Sequence, residues 1–138
     1  MWTCPVCNQK FRNRNQSHSC GLGSVEQFLE GKSEISVRLY KHLIASYKKI
    51  GKFELHPAKT RIALASRIRF AAINRMGKDF LEGHLVISKD FPGSKCFHRI
   101  DHFGSSYVHN FRLYKKEDVS DELIGYMKMA FGEGCDKN

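Results

Sequence analysis

Arg61-Ile62-Ala63-Leu64-Ala65-Ser66-Arg67-Ile68-Arg69-Phe70 alternates between apolar and basic side chains. Ile62, Leu64, Ile68 and Phe70 fall on even positions while Arg61, Arg67 and Arg69 fall on odd ones, the two-residue period of a half-buried strand or a bent strand pair. One face packs and the other is basic. Just before this stretch, His56-Pro57-Ala58-Lys59-Thr60 supplies a rigid turn that opens the sheet, and further strands are expected over 80–88, 96–103 and 107–114. The gaps between strands, Met76-Gly77-Lys78-Asp79, Asp90-Phe91-Pro92-Gly93-Ser94 and Gly104-Ser105-Ser106, are rich in turn formers and short enough for antiparallel hairpins.

Helical periods flank this region. Ser24 with Gln27 offers a capping box for a short helix to about Glu30. Ser33 caps a longer helix whose apolar set, Ile35, Val37, Leu39, Tyr40, Leu43, Ile44 and Tyr47, contains steps of three and four before Gly51 ends it. Ser120 caps a last helix with Asp121 and Glu122 in its first turn and Leu123, Ile124, Tyr126, Met127 and Phe131 on its apolar face, and the tail after Gly132 reads as frayed. The predicted class is α+β: an antiparallel sheet of about five strands flanked by N- and C-terminal helices. No helix separates successive strands and no glycine-rich phosphate loop is present, which argues against a doubly wound parallel sheet.

This domain is assigned residues 24–138, and residues 1–23 form a separate small module. That module carries Lys10, Arg12 and Arg14, no acidic residue and few large apolar groups, so it cannot build a core of its own. Within it, Cys4-Pro5-Val6-Cys7 and His18-Ser19-Cys20 supply three thiolates and one imidazole, the ligand set of a closed tetrahedral zinc site. The Cys-x-x-Cys gap lets one tight turn present both sulfurs to an ion. The closing His-x-Cys is too tightly spaced for a helical ligand pair, so a groove-reading finger helix is not expected. With four protein ligands no position is left for water or substrate, and the implied Zn2+ is structural, one per chain. A redox Cys-x-x-Cys is the competing reading, but the segment lacks the strand-to-helix junction of a thioredoxin-like unit.

The chain of 138 residues carries 23 Lys+Arg against 14 Asp+Glu, a formal charge of +9. Such an excess favours polyanionic partners, nucleic acid first, although it also simply keeps a domain soluble. Lys59, Arg61, Arg67 and Arg69 on one side of an extended chain would track a phosphate backbone, with the knuckle's Lys10, Arg12 and Arg14 as a second patch. The apolar runs are far too short to span a bilayer, so no membrane partner is expected. The opening Met1-Trp2-Thr3-Cys4-Pro5 lacks a charged region followed by an apolar one, and the cytoplasm is the expected compartment.

Other chemistry is thinner. His98 and His102 at spacing four would share a strand face and loosely suggest a second metal site, while His109 shares a face with Tyr107, Phe111 and Leu113 as a core-edge histidine. A small acidic metabolite held near His56, Lys59 and His109, or a protein partner, is the alternative to nucleic acid. There is no Gly-x-Ser-x-Gly elbow, no P-loop and no His-Glu-x-x-His. Nothing in the sequence pairs a nucleophile with its base, so a non-catalytic role is expected, although catalytic residues are neighbours in space and need not show in sequence.

Three stretches together carry a family resemblance: Trp2-Thr3-Cys4-Pro5-x-Cys7 with Asn15-Gln16-Ser17-His18-Ser19-Cys20, then His56-Pro57-x-Lys59-Thr60-Arg61-Ile62-Ala63, then Val108-His109-x-Phe111-Arg112-Leu113. The chain resembles an uncharacterised bacterial family of unknown function with an N-terminal Cys-x-x-Cys…His-x-Cys zinc knuckle. In element order alone it is distantly similar to the YdhG-like and frataxin-like α-β5-α domains, which implies a sheet covered on one face by helices. That similarity also raises an iron-chaperone function. The long helix argues against it, carrying Arg38, Lys41, His42, Lys48 and Lys49 against the single carboxylate of Glu34, so hard cations lack an oxygen-rich dock.

Overall fold

The structure is a computed structural model and describes residues 2–3, 10–11, 25–58 and 61–136. Two short strands, β1 (Trp2–Thr3) and β2 (Lys10–Phe11), pair antiparallel with Trp2 opposite Phe11 and Thr3 opposite Lys10. Helices α1 (Val25–Leu29) and α2 (Glu34–Ile50) follow. Six strands come next: β3 (Glu54–Pro57), β4 (Ile62–Ala65), β5 (Arg69–Met76), β6 (Leu81–Ile87), β7 (Phe97–Phe103) and β8 (Ser106–Leu113). A 3-10 turn (Lys116–Asp118) leads into α3 (Asp121–Asp136).

α2 begins where the Ser33 side chain accepts from the Ser36 amide at 3.1 Å, and it buries Ser36, Leu39, Tyr40, Leu43, Ile44 and Tyr47, one stripe at helical spacing. α3 begins in the same way, with the Leu123 amide donating to Ser120 Oγ at 3.2 Å. The two helices pack on each other and both reach β6. Tyr47 ties them together, its hydroxyl donating to the Met127 carbonyl at 3.1 Å. Tyr47 is also part of an edge-to-face aromatic cluster with Phe53 and Phe70, and Phe131 of α3 joins it through Phe70. α3 does not fray after Gly132: the Gly134 carbonyl accepts the amides of Arg67 at 3.1 Å and Ile68 at 3.2 Å, pinning the last turn to the bend between β4 and β5.

The sheet is antiparallel with strand order β3-β4-β5-β6-β8-β7, one strand more than expected. The extra strand is β3, because His56 and Pro57 lie within it rather than in a turn that precedes the sheet. Pro57 is tolerated there as the last residue of an edge strand, where its missing N–H costs no central ladder bond. The last three strands do not meander, since β8 inserts between β6 and β7. The connection from β6 to β7 is fastened to α3 by Ser88, whose amide and hydroxyl both donate to Glu133 at 2.9 Å, and by Ser94, whose hydroxyl donates to Glu122 at 2.8 Å.

Register divides the side chains between the two faces. Leu64, Ala71, Leu85 and His109 form one row across β4, β5, β6 and β8, and Ile62, Ile73, Gly83 and Phe111 form the next. Both rows face the helices, and most of their members belong to the hydrophobic core. His56, Ala63, Ala72, His84 and Asn110 form a row on the opposite face. No helix among the described residues is long and apolar enough to cross a membrane.

Candidate nucleic-acid interface

The face turned away from α2 and α3 owes its chemistry to two bulges. Between Ile73 and Arg75 the register with β6 slips by one, so Asn74 is the extra residue and stands beside Arg75 on the same face. Between Phe97 and Arg99 the register with β8 slips again, which turns His98 to this face as well, with His98 Nε2 4.0 Å from a Glu82 oxygen. His102 stays on the other side, stacked on Tyr107 at 5.0 Å between ring centres. The expectation that His98 and His102 share a face is therefore corrected: an extra residue in an antiparallel strand inverts the alternation beyond it. Among the described residues no group of three or more His, Cys, Asp or Glu side chains is placed to hold a metal.

The middle of this face is polar and closely packed. His56 is 7% exposed, and its Nε2 donates to Glu54 at 3.2 Å while its Nδ1 finds no partner. Two alanines along, the Asn74 amide donates to His84 Nδ1 at 2.9 Å, which leaves the His84 proton on Nε2 and the Asn74 carbonyl oxygen unpartnered. Burial, helped by the nearby charge of Arg61, pushes His84 down to about 4, so its ring is neutral at pH 7.

Charge gathers around this row. Arg112 donates through Nε at 2.6 Å and through Nη2 to one oxygen of Glu82, its cross-strand neighbour. Arg99 is matched by Asp101 at 2.9 Å, and that same carboxylate accepts from Asn110 at 3.2 Å. Arg75 lies opposite Glu82 in the β5–β6 register, yet it has no carboxylate partner among the described residues. Its guanidinium sits 5.3 Å from the centre of the Phe80 ring, and that of Arg112 sits at 5.3 Å from the same ring.

The residues singled out in the sequence are only partly brought together. Cys4, Cys7, Arg12, Arg14, His18, Cys20 and Lys59 lie outside the described residues, and Lys10 is in β2. Arg61, Arg67 and Arg69 are exposed, but they do not form one line. The chain reverses at 66–68, so Arg61 sits at one end of β4, beside the Asn74 bulge, whereas Arg67 and Arg69 sit at the other. His56 and His109 lie on opposite faces, because His109 pairs with Leu85 while its neighbour Asn110 pairs with His84. A ligand held jointly by those two histidines is ruled out by this geometry.

His109 is instead fully buried against the rings of Phe91 and Phe97, which in turn pack on Tyr126, its Nδ1 donating to the Tyr107 carbonyl at 3.1 Å and its Nε2 unpartnered. Burial holds it below the ordinary histidine range against the opposing pull of that carbonyl. Sequence reading missed Asn74, Arg75, Phe80, His84, Arg112 and Tyr114 as a group. Alternation counted straight through a bulge assigns the residues beyond it to the wrong face.

Neither the curated proteins nor the solved structures contain a match to the chain. A family model does match residues 25–133, which hold α1, α2, the whole six-stranded sheet and α3 as far as Glu133. The chain belongs to the family described as a domain of unknown function, DUF5655.

Proposed function

We propose that this protein is a non-catalytic binding module for nucleic acid, carrying a zinc-held knuckle at its N-terminus. The observation that carries the reading is the pair Arg61 and Arg75, exposed at the same end of the sheet and without carboxylate partners among the described residues. A guanidinium left unpaired beside aromatic rings suits a phosphate backbone with bases near it. Arg67 and Arg69 extend the basic surface at the opposite end of β4. Fluorescence anisotropy with labelled single-stranded and duplex DNA and RNA across a salt series tests this. The expected result is a steep salt slope that shrinks by roughly 0.7–0.9 per phosphate contact removed when Arg61 and Arg75 are changed to alanine. Absence of binding at low salt refutes the reading.

The zinc assignment rests on the Cys-x-x-Cys and His-x-Cys spacing of Cys4, Cys7, His18 and Cys20, the ligand set of a closed tetrahedral site. Cys4, Cys7, His18 and Cys20 would hold the ion, and a closed set of this kind contributes folding energy rather than a reactive water. Native mass spectrometry is expected to find one zinc per chain and none in Cys7→Ser; a metal-free, folded wild type would overturn the assignment.

A small polar ligand is the second reading, favoured by the unpartnered His56 Nδ1 and Asn74 Oδ1 on one face. It is recognised by saturable binding with little dependence on salt.

A further inference from the structure

The β5–β6 turn folds one aromatic ring back over the sheet. The Gly77 amide donates to the Phe80 carbonyl at 2.9 Å, and the Phe80 ring lies so close to Gly77 that a Cβ there would overlap it. Thus placed, the ring meets the guanidiniums of Arg75 and Arg112, and its centre is 6.1 Å from that of Tyr114. Tyr114 is 52% exposed, and its hydroxyl accepts from Arg112 Nη1 at 3.3 Å. Cation–π pairs occur about once per 70–80 residues, so two guanidiniums on one ring is a local concentration of this contact.

The chemistry of this corner is specific. Glu82 neutralises Arg112 and fixes its plane, whereas Arg75 keeps its charge unmatched among the described residues. Phe80 is half-buried, with the two guanidiniums and Tyr114 gathered around it, while about half of Tyr114 is open to solvent. An exposed π surface adjoining a free cation is what a flat, anionic, flexible ligand requires: the base stacks on the ring and the phosphate beside it meets the charge. A duplex buries its base faces in its own stack and offers only groove edges and phosphates, so it cannot use the ring.

We propose that Tyr114, Phe80, Arg75 and Arg112 form a stacking site for an unpaired base of single-stranded nucleic acid. The inference rests on the polyanion-binding reading and names the part of the ligand that this corner takes. Phe80 and Arg112 are positioning residues, Tyr114 the stacking surface and Arg75 the phosphate contact.

The test uses the zinc-loaded full chain, with anisotropy on matched single-stranded and duplex oligonucleotides and fluorescence of a 2-aminopurine placed in the single strand. The expected result is tighter binding of the single strand than of the duplex, with 2-aminopurine quenched on binding. Tyr114→Ala, an exposed change that leaves the core untouched, is expected to weaken single-strand binding roughly 5- to 100-fold with its salt slope unchanged, and Tyr114→Phe to restore it. Arg75→Ala is expected to lower the slope by about 0.7. If Tyr114→Ala binds single strands as the wild type does, the stacking site is overturned while polyanion binding stands. If the wild type prefers the duplex, the stacking site is likewise overturned. If nothing binds at low salt, both fall.

Discussion

Arg112 and Glu82 are cross-strand partners whose contact decides which of the two arginines opposite Glu82 goes without a carboxylate among the described residues. Arg112 donates to Glu82 Oε2 through two nitrogens, so Arg75, which stands opposite the same glutamate from the other side, goes without it. Glu82→Gln removes the carboxylate while keeping the shape, which releases Arg112 and adds one to the formal charge. Single-strand affinity at low salt is expected to rise several-fold, with a steeper salt slope. Anisotropy on wild type and variant in parallel reads this directly. An unchanged affinity would mean that Arg112 does not reach the ligand, and a weaker one that the Glu82 contact is needed to hold Arg112 against Phe80.

Phe111 packs across Gly83 at the centre of the sheet. A Cβ on Gly83 would come to 2.6 Å from the Ala72 carbonyl oxygen and 2.8 Å from Phe111 Cζ, one of them backbone in a central strand that has nowhere to go. Gly83→Ala is therefore expected to lose about 2 kcal/mol of stability by overpacking. A urea midpoint that stays at the wild-type value would show that strand β6 can shift locally, against the close fit seen here.

Much of this architecture could be read from alternation. β6 buries Leu81, Gly83, Leu85 and Ile87 and half-buries Glu82, His84 and Val86, a strict period of two, and the stripe of α2 follows its three- and four-residue steps. The strand order could not be read. The insertion of β8 between β6 and β7 depends on pairings such as Leu81 with Leu113, which are distant in sequence and leave no local signature. β3 was hidden by Pro57, which reads as a turn residue until its edge position is known. The site suffered most from the bulge at Asn74, since one unpaired residue moved Arg75 onto the face that Phe80 and Arg112 share. Cys4, Cys7, His18 and Cys20 lie outside the described residues, so the expectation of a zinc site rests on their spacing alone.

The bond between Tyr47 and the Met127 carbonyl joins the two long helices through a residue that is 1% exposed. Burial drives its phenol well above the ordinary tyrosine range, so the hydroxyl keeps its proton and donates at neutral pH. Tyr47→Phe keeps the ring and its edge-to-face contacts with Phe53 and Phe70. The expected cost is about 1 kcal/mol, the net worth of one buried hydrogen bond, seen as a lower urea midpoint with an unchanged slope. A loss several times larger would indicate that the hydroxyl orders the α2–α3 contact as a whole.

His84 sets an acid limit on the fold. Its folded value is about 4, where an unfolded histidine titrates near 6.5, so as the pH falls the unfolded chain takes up this proton first. The stability tied to the neutral ring is fully present above pH 6.5 and drains away between about 6.5 and 4, for a total near 3 kcal/mol at about 1.4 kcal/mol per unit. His109, lowered by burial as well, acts in the same direction. Urea midpoints are expected to fall steadily from pH 7 to pH 4.5, and His84→Gln, which cannot titrate, to fall less steeply. Nitrogen-detected NMR of the ring gives the residue-specific check: at pH 6 His84 is expected to be neutral with its proton on Nε2, because the Asn74 amide occupies Nδ1. Arg61→Gln removes a nearby positive charge and is expected to move the His84 titration upward, toward the ordinary value. A nucleic-acid phosphate that neutralises Arg61 should move it the same way, so the ring reports occupancy at that end of the sheet. A His84 that charges near pH 6.5 in the free, folded protein would contradict both its burial and its coupling to Arg61.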